Sequence, residues 1–371
     1  MNPGSTALRE ALRTCISKGL TFAAFREPGR PVRLMAQRSP AMAHLDAAAL
    51  EAMEAVFVAA PFVSESGAMG ILRPDAVLEF GRSHPDPGIL EGFEGASPRE
   101  ARISEHMPRT VYTTVVEAAK AAINGGGLRK VVLSRTMSVP LDPALLPDLF
   151  LRMVEDQPGA FVCMHRGPEQ GLWLGASPER LLRVEGESVL VDAIAGTLPV
   201  YQAPSEAAAW GEKERDEQRM VTEGILATFE RLGMREVRTQ GPEVLVAGRV
   251  AHLRTLVSAP REGIRMAGLA RELHPSPAVC GTPTDAARAF ILAHEPHDRG
   301  LYAGFWGPWR MDGRTELFVN IRSLRVVGKD AVLYVGGGIT AASDAAREWE
   351  ETEQKALTLR SPIEALRSPV S

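Results

Sequence analysis

Three strand-like runs, AFVCMH, GLWLGAS and SVLVDAIAG at residues 160–165, 171–177 and 188–196, follow one another across short gaps. A parallel neighbour needs a crossover of about a dozen residues or more, usually a helix. These gaps are too short for a helical crossover, so the runs favour antiparallel or mixed sheets. Further strand-like runs appear in RKVVLSRTMSV, EVLVAGRVAHL, ELFVNIRSLRVV and AVLYVGGG. Helical periodicity marks RTVYTTVVEAAKAAINGG, LPDLFLRMVED, EKERDEQRMVTEGILATFERLG, TDAARAFILAHE and SDAAREWEETEQKALTLR. The expected fold class is α+β, with large antiparallel sheets and helices packed outside, rather than a doubly wound parallel sheet.

The 371 residues, 45% of them hydrophobic, suffice for one large core. We expect a single domain over 1–371, with the first hundred residues less diagnostic and the informative motifs in 101–371. The Gly/Pro-rich stretch from Phe80 to Glu100 reads as a long surface excursion. A net charge of −4 gives no reason to expect nucleic acid or an anionic membrane as partner. Cys15, Cys163 and Cys280 are widely spaced, so neither a disulfide framework nor a zinc site is expected. The N-terminal stretch has no secretory pattern and no run has membrane-spanning length, so a cytoplasmic protein is expected.

Near the C-terminus, GGGITAASDAAREWEETEQKA concentrates acid just past three glycines. Ser343 is a candidate N-cap, with Asp344 in the first turn. Glu348 and Glu351 then share a helical face, and Glu351 and Lys355 stand four apart. A solvated acidic face is one reading. The second is that a similar pair, Glu214 and Glu217 in EKERDEQ, converges with the first on a hard divalent cation such as Mg²⁺. Like charges brought together would be costly without a counter-charge.

Other residues admit both a structural and a chemical reading. Lys130 opens an apolar run: an exposed strand end, or a base in a desolvated cleft. Glu179 in GASPERLL is a surface glutamate, or a proton donor kept neutral by burial. Gly196 and Thr197 form an ordinary turn, or offer an amide and a hydroxyl to an anion. Gly336, Gly337 and Gly338 suit close approach of backbone to a ligand. HEPH at 294–297 is not HExxH, and its proline argues against a helical zinc site. There is no phosphate-binding loop, dinucleotide fingerprint or nucleophile elbow in the sequence.

Between about Leu128 and Leu359 the sequence resembles the chorismate-utilising enzymes, isochorismate synthases in particular. KVVLSR, GASPE, AGT, EKERDEQ, HPSPAVCG, EPHDRGLYAGFWG, NIRS and GGGI followed by EWEET occur in the family's order. TFAAFREPGR looks like the family's early strand. The resemblance implies two stacked antiparallel sheets with the active site in a cleft between them. It implies Mg²⁺ held by Glu217 and Glu351, with Glu214 and Glu348 as outer partners acting through water. Lys130 matches the base that activates water, and Glu179 the acid that protonates the departing hydroxyl. Arg322, assisted by Tyr302, matches the grip on the enolpyruvyl carboxylate; a guanidinium suits a carboxylate bidentately. Gly196, Thr197, Gly336 and Gly337 match pocket walls that meet substrate carboxylates. His252 and Lys355 match further site positions.

The implied activity is the Mg²⁺-dependent conversion of chorismate to isochorismate, with a siderophore pathway favoured over menaquinone as the destination. Salicylate synthase, which goes on to eliminate pyruvate, is the nearest alternative. Ala278 is similar to the synthase choice, whereas Tyr302 is similar to the lyase choice. Anthranilate and aminodeoxychorismate synthases use ammonia, but Lys130 and HPSPAVCG depart from their pattern. A catalytically silent Mg²⁺-dependent binding protein is the reading from another class, opposed by the retained Lys130, Glu179 and four glutamates. A monomer without an amidotransferase partner is expected by analogy.

Overall fold

Two nine-stranded sheets carry the chain, and every strand pairing among the described residues is antiparallel. The computed structural model describes residues 3–64, 66–81, 85–97, 106–248 and 250–367. The first sheet runs Gly281–Thr282, Lys130–Pro140, Asp330–Ile339, Ser323–Val327, Gly171–Ser177, Phe161–Gly167, Thr21–Arg26, Val32–Gln37, Ala76–Phe80. The second runs Arg238–Ala247, Val250–Pro260, Ser188–Pro199, Arg180–Glu185, Arg314–Val319, Phe305–Trp309, Val56–Ala60, Met69–Leu72, Ala43–Leu45. Strands from the first eighty residues therefore complete both sheets.

The sheets face each other across one hydrophobic core. Phe161 of the first stacks on Phe318 of the second, with ring centroids 4.2 Å apart. Phe25 meets Phe57 at 5.5 Å in the same layer. Such aromatic pairs add about 0.5–1.5 kcal/mol beyond their area burial. The other face of the first sheet is covered by the helices Pro3–Lys18, Leu146–Asp156 and Ala345–Arg367, through Leu12, Phe150 and Leu359 among others. Strands buried on both faces read as continuous apolar runs, which explains AFVCMH and GLWLGAS. The helix Arg109–Asn124 buries Tyr112, Val116 and Ala119, at i, i+4 and i+7, and stops at a run of glycines. Tyr112 meets Trp349 edge-on at 5.9 Å, joining this helix to the C-terminal one.

Two strand-like runs turn out to be pairs of strands. EVLVAGRVAHL spans the hairpin between Arg238–Ala247 and Val250–Pro260, and its Arg249 lies outside the described residues. ELFVNIRSLRVV divides into Arg314–Val319 in the second sheet and Ser323–Val327 in the first. The expected excursion from Phe80 to Glu100 falls partly outside the described residues, at 82–84 and 98–100. Its middle is anchored, because Leu90 and Phe93 bury against the Leu8 and Leu12 cluster. Asp344, rather than Ser343, caps the C-terminal helix by accepting from Arg347 N–H at 2.9 Å. Ser343 Oγ instead accepts from Thr340 N–H, closing the turn before it. All three cysteines are free and buried. No helix among the described residues is long and apolar enough to cross a membrane.

Candidate active site

The chain crosses from one sheet to the other at Pro178–Glu179 and crosses back at 320–322. The crossings are neighbours. Val319 N–H donates to the Glu179 carbonyl at 3.0 Å, and Ala176 N–H to the Arg322 carbonyl at 3.2 Å. Strands that switch sheets leave a corner between them. Here that corner is a cleft between the two sheets. Val132, Tyr334 and Gly336–Gly338 line it from the first sheet, Ile194, Thr197 and His252 from the second, and Lys355 from the C-terminal helix.

Arg322 has a left-handed backbone, φ 51°, which a non-glycine residue adopts only where its surroundings fix it. Its guanidinium donates to the Ala247 carbonyl at 3.0 Å and to His252 Nε2 at 2.6 Å. With Nε2 accepting, His252 is neutral and donates from Nδ1 to the Gly196 carbonyl at 3.2 Å. Burial, then the charges of Arg322 and Lys355, hold this imidazole well below its ordinary pKa. Burial brings Arg322 itself down to about 10. Gly196 is an extra residue in the ladder, between the pairs Ala195–Leu253 and Thr197–His252, with φ 71°. A side chain there would also run into the backbone of Glu214, so the helix Glu212–Arg231 packs directly on this bulge.

Lys130 begins the strand Lys130–Pro140 and is fully buried, not an exposed strand end. Its ammonium lies 3.0 Å from Glu217 Oε1, an ion pair that lacks hydrogen-bond alignment. Burial opposes charge on Glu217, yet Lys130, Lys355 and Lys213 hold its carboxyl below the ordinary value. Opposite, in the ladder, lie the glycines: Gly337 pairs with Leu133 and Gly338 with Val132. A Cβ on Gly338 would overlap Glu217 Oε1. A Cβ on Gly337 would sit 3.2 Å from Glu348 Oε2 and 3.5 Å from Glu351 Oε1. The glycine strand is thus a floor on which carboxylates from two helices meet.

Each of these carboxylates has its own lysine. Lys213 Nζ donates to Glu348 Oε1 at 2.8 Å, and Lys355 Nζ to Glu351 Oε1 at 2.7 Å. Burial and then Glu351 push Glu348 above its ordinary value. Burial opposes charge on Lys213, but Glu348, Glu351 and Glu217 together hold its pKa up, which marks it as their meeting point. The counter-charge for the acid cluster is therefore supplied within the chain. Glu214 behaves differently. It is the N3 residue of a helix whose N-cap is Gly211, and its carboxylate lies back over that glycine.

Drawn onto separate lysines, the acids do not form a ready three-residue ligand set among the described residues. Their chemistry still fits a hard divalent cation. The donors are all oxygen, Glu348 Oε2 is buried without a hydrogen-bond partner, and it shares the Gly337 floor with Glu351 Oε1.

Glu179 is buried at the first crossing, not on the surface. Burial, and then the nearby charge of Asp192, push its carboxyl up to about 8, against the pull of Lys130, Arg322 and Lys355. It lines the same cleft as Glu217, Arg322, Ala278 and Tyr302. Tyr302 stacks on Tyr334 at 5.4 Å, and its hydroxyl lies against Gly336. Gly336 also accepts from Lys355 Nζ at 2.9 Å.

Glu295 and Arg299, within EPHDRG, form a buried pair that the motif itself does not announce; their i,i+4 spacing is the signal that the sequence offers. Arg299 is fully buried by its neighbours and donates to Glu295 Oε1 at 2.6 Å and to Oε2 at 2.8 Å. It also donates to the carbonyls of Val279 at 2.9 Å and Val132 at 2.7 Å. Glu295 accepts from Ser134 N–H at 2.6 Å. This pair ties the Lys130 strand to the HPSPAVCG loop, so two walls of the cleft share one buttress. Removing one partner of such a buried pair costs about 3–5 kcal/mol.

A family model described as chorismate binding enzyme matches residues 92–364. The isochorismate synthase MenF of Escherichia coli K12 is 31% identical over 289 residues, covering 74% of this chain and 64% of that protein. The salicylate biosynthesis isochorismate synthase of Pseudomonas aeruginosa is 32% identical over 268 residues, covering 70% of this chain and 56% of that protein. The matched part is thus less than two-thirds of the length of either relative. The solved structure of DhbC from Bacillus anthracis superposes with a TM-score of 0.78 at 24% identity, covering 97% of this chain and 99% of that one.

Proposed function

Because the chain belongs to the chorismate-binding enzyme family, we propose that it is an isochorismate synthase acting on chorismate as one catalytic domain. One observation carries the reading. A buried glutamate raised to about 8, Glu179, lines one cleft with Arg322 and Glu217, and a buried lysine, Lys130, lies 3.0 Å from that Glu217. Lys130 is placed to take a proton and Glu179 to give one, the two transfers needed for moving a hydroxyl around a ring.

Lys130 in its neutral form takes a proton from water, which adds to ring carbon C2. The two ring double bonds each move one bond along, and the C4–O bond breaks. Glu179 gives its proton to the departing oxygen, which leaves as water. Arg322, aligned by His252, holds the enolpyruvyl carboxylate bidentately. Gly196 and Thr197 meet a substrate carboxylate from the second sheet. Glu217, Glu351 and Glu348 would hold Mg²⁺, which when bound neutralises the ring carboxylate. Glu214 supports this arrangement through its helix start.

Salicylate formation is the second reading, favoured by Tyr302 in the cleft wall. Product analysis separates the two. Purified protein with chorismate and Mg²⁺ should give isochorismate without pyruvate, and EDTA should stop it. Salicylate with equimolar pyruvate would establish the second reading. Turnover only on addition of ammonium would overturn both.

A further inference from the structure

Arg180 follows Glu179 directly, yet its charge is directed elsewhere. Its Nε donates to Glu316 Oε1 at 2.8 Å, and its Nη1 lies 3.6 Å from Asp192 Oδ2. Glu316 Oε2 lies 3.5 Å from Arg314 Nη2, which also donates to Glu27. These are neighbouring strands of the second sheet: Arg180–Glu185 lies between Ser188–Pro199 and Arg314–Val319. Asp192, Glu316, Arg314 and Glu27 are each more than nine-tenths buried. Buried charge is costly to desolvate, and apolar residues of similar volume would often be as stable. The alternating chain of acids and bases therefore asks for a purpose beyond stability.

We propose that Glu316 and Asp192 are positioning residues that hold the Arg180 guanidinium away from Glu179, so that Glu179 stays protonated in the cleft. The inference rests on the reading of Glu179 as the proton donor. Among the described residues, the cations that pull most on Glu179 are likewise engaged: Lys130 by Glu217, Lys355 by Glu351, and Arg322 by His252 and the Ala247 carbonyl. Asp192 and the Tyr302 phenol are the remaining titratable groups beside it. A released Arg180, one residue away, would be the nearest unengaged positive charge. An opposite charge at close range lowers a carboxyl by about 1–3 pH units. The raised value of Glu179 accords with this arrangement.

The test is the pH profile of turnover in E316Q, D192N, the double variant E316Q/R180M, and E179Q. E316Q should move the alkaline limb down by about 1–3 pH units; D192N should move it down as well, in part because it removes a like charge beside Glu179. R180M in the E316Q background should return the limb to its wild-type position, since no cation is left to release. A merely structural role would lower turnover at every pH without moving the limb, and a second lost partner would not restore it. An unmoved limb in E316Q and D192N, with E179Q inactive, would overturn this inference and leave the acid reading intact. A shift in E316Q that R180M fails to reverse would also overturn it. Full turnover in E179Q would remove both. Should E316Q not fold, D192N compared with D192N/R180M still decides the matter, because R180M returns only the part of the shift that Arg180 causes, and no return would overturn the inference.

Discussion

Lys130 and Glu217 stand 3.0 Å apart, and the room for their contact comes from a third residue that has no side chain. A Cβ on Gly338 would overlap Glu217 Oε1 and come within 2.9 Å of Lys130 Cε. At Gly337 the nearest atom is the far end of Glu348, at 3.2 Å.

We therefore expect Gly338→Ala to weaken Mg²⁺ binding by about 10–100-fold, the range seen when the support of a metal ligand is disturbed. Gly337→Ala should have a smaller effect, because its neighbour has only a few tenths of an ångström to give. Calorimetric Mg²⁺ titration of both variants checks the ranking. Equal effects would mean that the glycines act through the backbone and not through the space they leave.

Lys130→Met should lower turnover by about 10²–10⁴-fold, the usual contribution of a general base. Chorismate binding should persist, because Arg322 and the Thr197 wall are untouched. Equilibrium binding measured beside turnover is the check; normal turnover would remove Lys130 from the mechanism.

Glu179 gives opposite predictions for activity and stability. Its folded pKa, about 8, lies above the ordinary value of 4.5, so its contribution to stability is complete below about 4.5 and is lost as pH rises through 8. Turnover by the protonated acid should fall over the same upper range. Glu179→Gln should abolish turnover while melting higher than the wild type at pH 8 and above. Thermal melts across pH 6 to 9 test the sign. A variant that melts lower throughout would show that the carboxyl is structural.

His252 has the reverse linkage. Its folded pKa lies far below the ordinary 6.5, so the unfolded chain binds the proton first as pH falls. Stability should therefore decline below about pH 6.5. His252→Asn should flatten that decline and, by releasing Arg322, raise KM more than it lowers kcat. His165 and His274 are also held low by burial, so the flattening should be partial.

The sequence made the helices and the two acid pairs legible because their signals are local. Glu214 and Glu217, or Glu348 and Glu351, share a face at helical spacing whatever surrounds them. The antiparallel character was legible too, from connectors too short to cross over. The crossings at Glu179 and Arg322 were not. ELFVNIRSLRVV reads as one strand-like run despite its scattered polar residues, and nothing local says that its halves join different sheets. Nor could spacing reveal that Lys213 and Lys130 each take one carboxylate, because those pairings join residues far apart in the chain. Only the Lys355 contact was legible, since Glu351 and Lys355 lie one turn apart. Glu214 shows the limit from the other side: a residue at the right spacing can serve the start of its own helix.

The position of Asp330–Ile339 has a consequence for the order of synthesis. This strand sits inside the first sheet, between Lys130–Pro140 and Ser323–Val327, yet it is made long after the first of these two neighbours. Until it arrives, Lys130–Pro140 presents an unpaired edge, which is a template for mispairing with other chains. The nascent chain must wait through nearly two hundred residues, about ten to forty seconds at ordinary elongation rates, before that edge is closed. The same strand brings the glycine floor, and the helix behind it brings Glu348 and Glu351. Closing the vulnerable edge and assembling the carboxylate cluster are thus a single late event in the life of the chain.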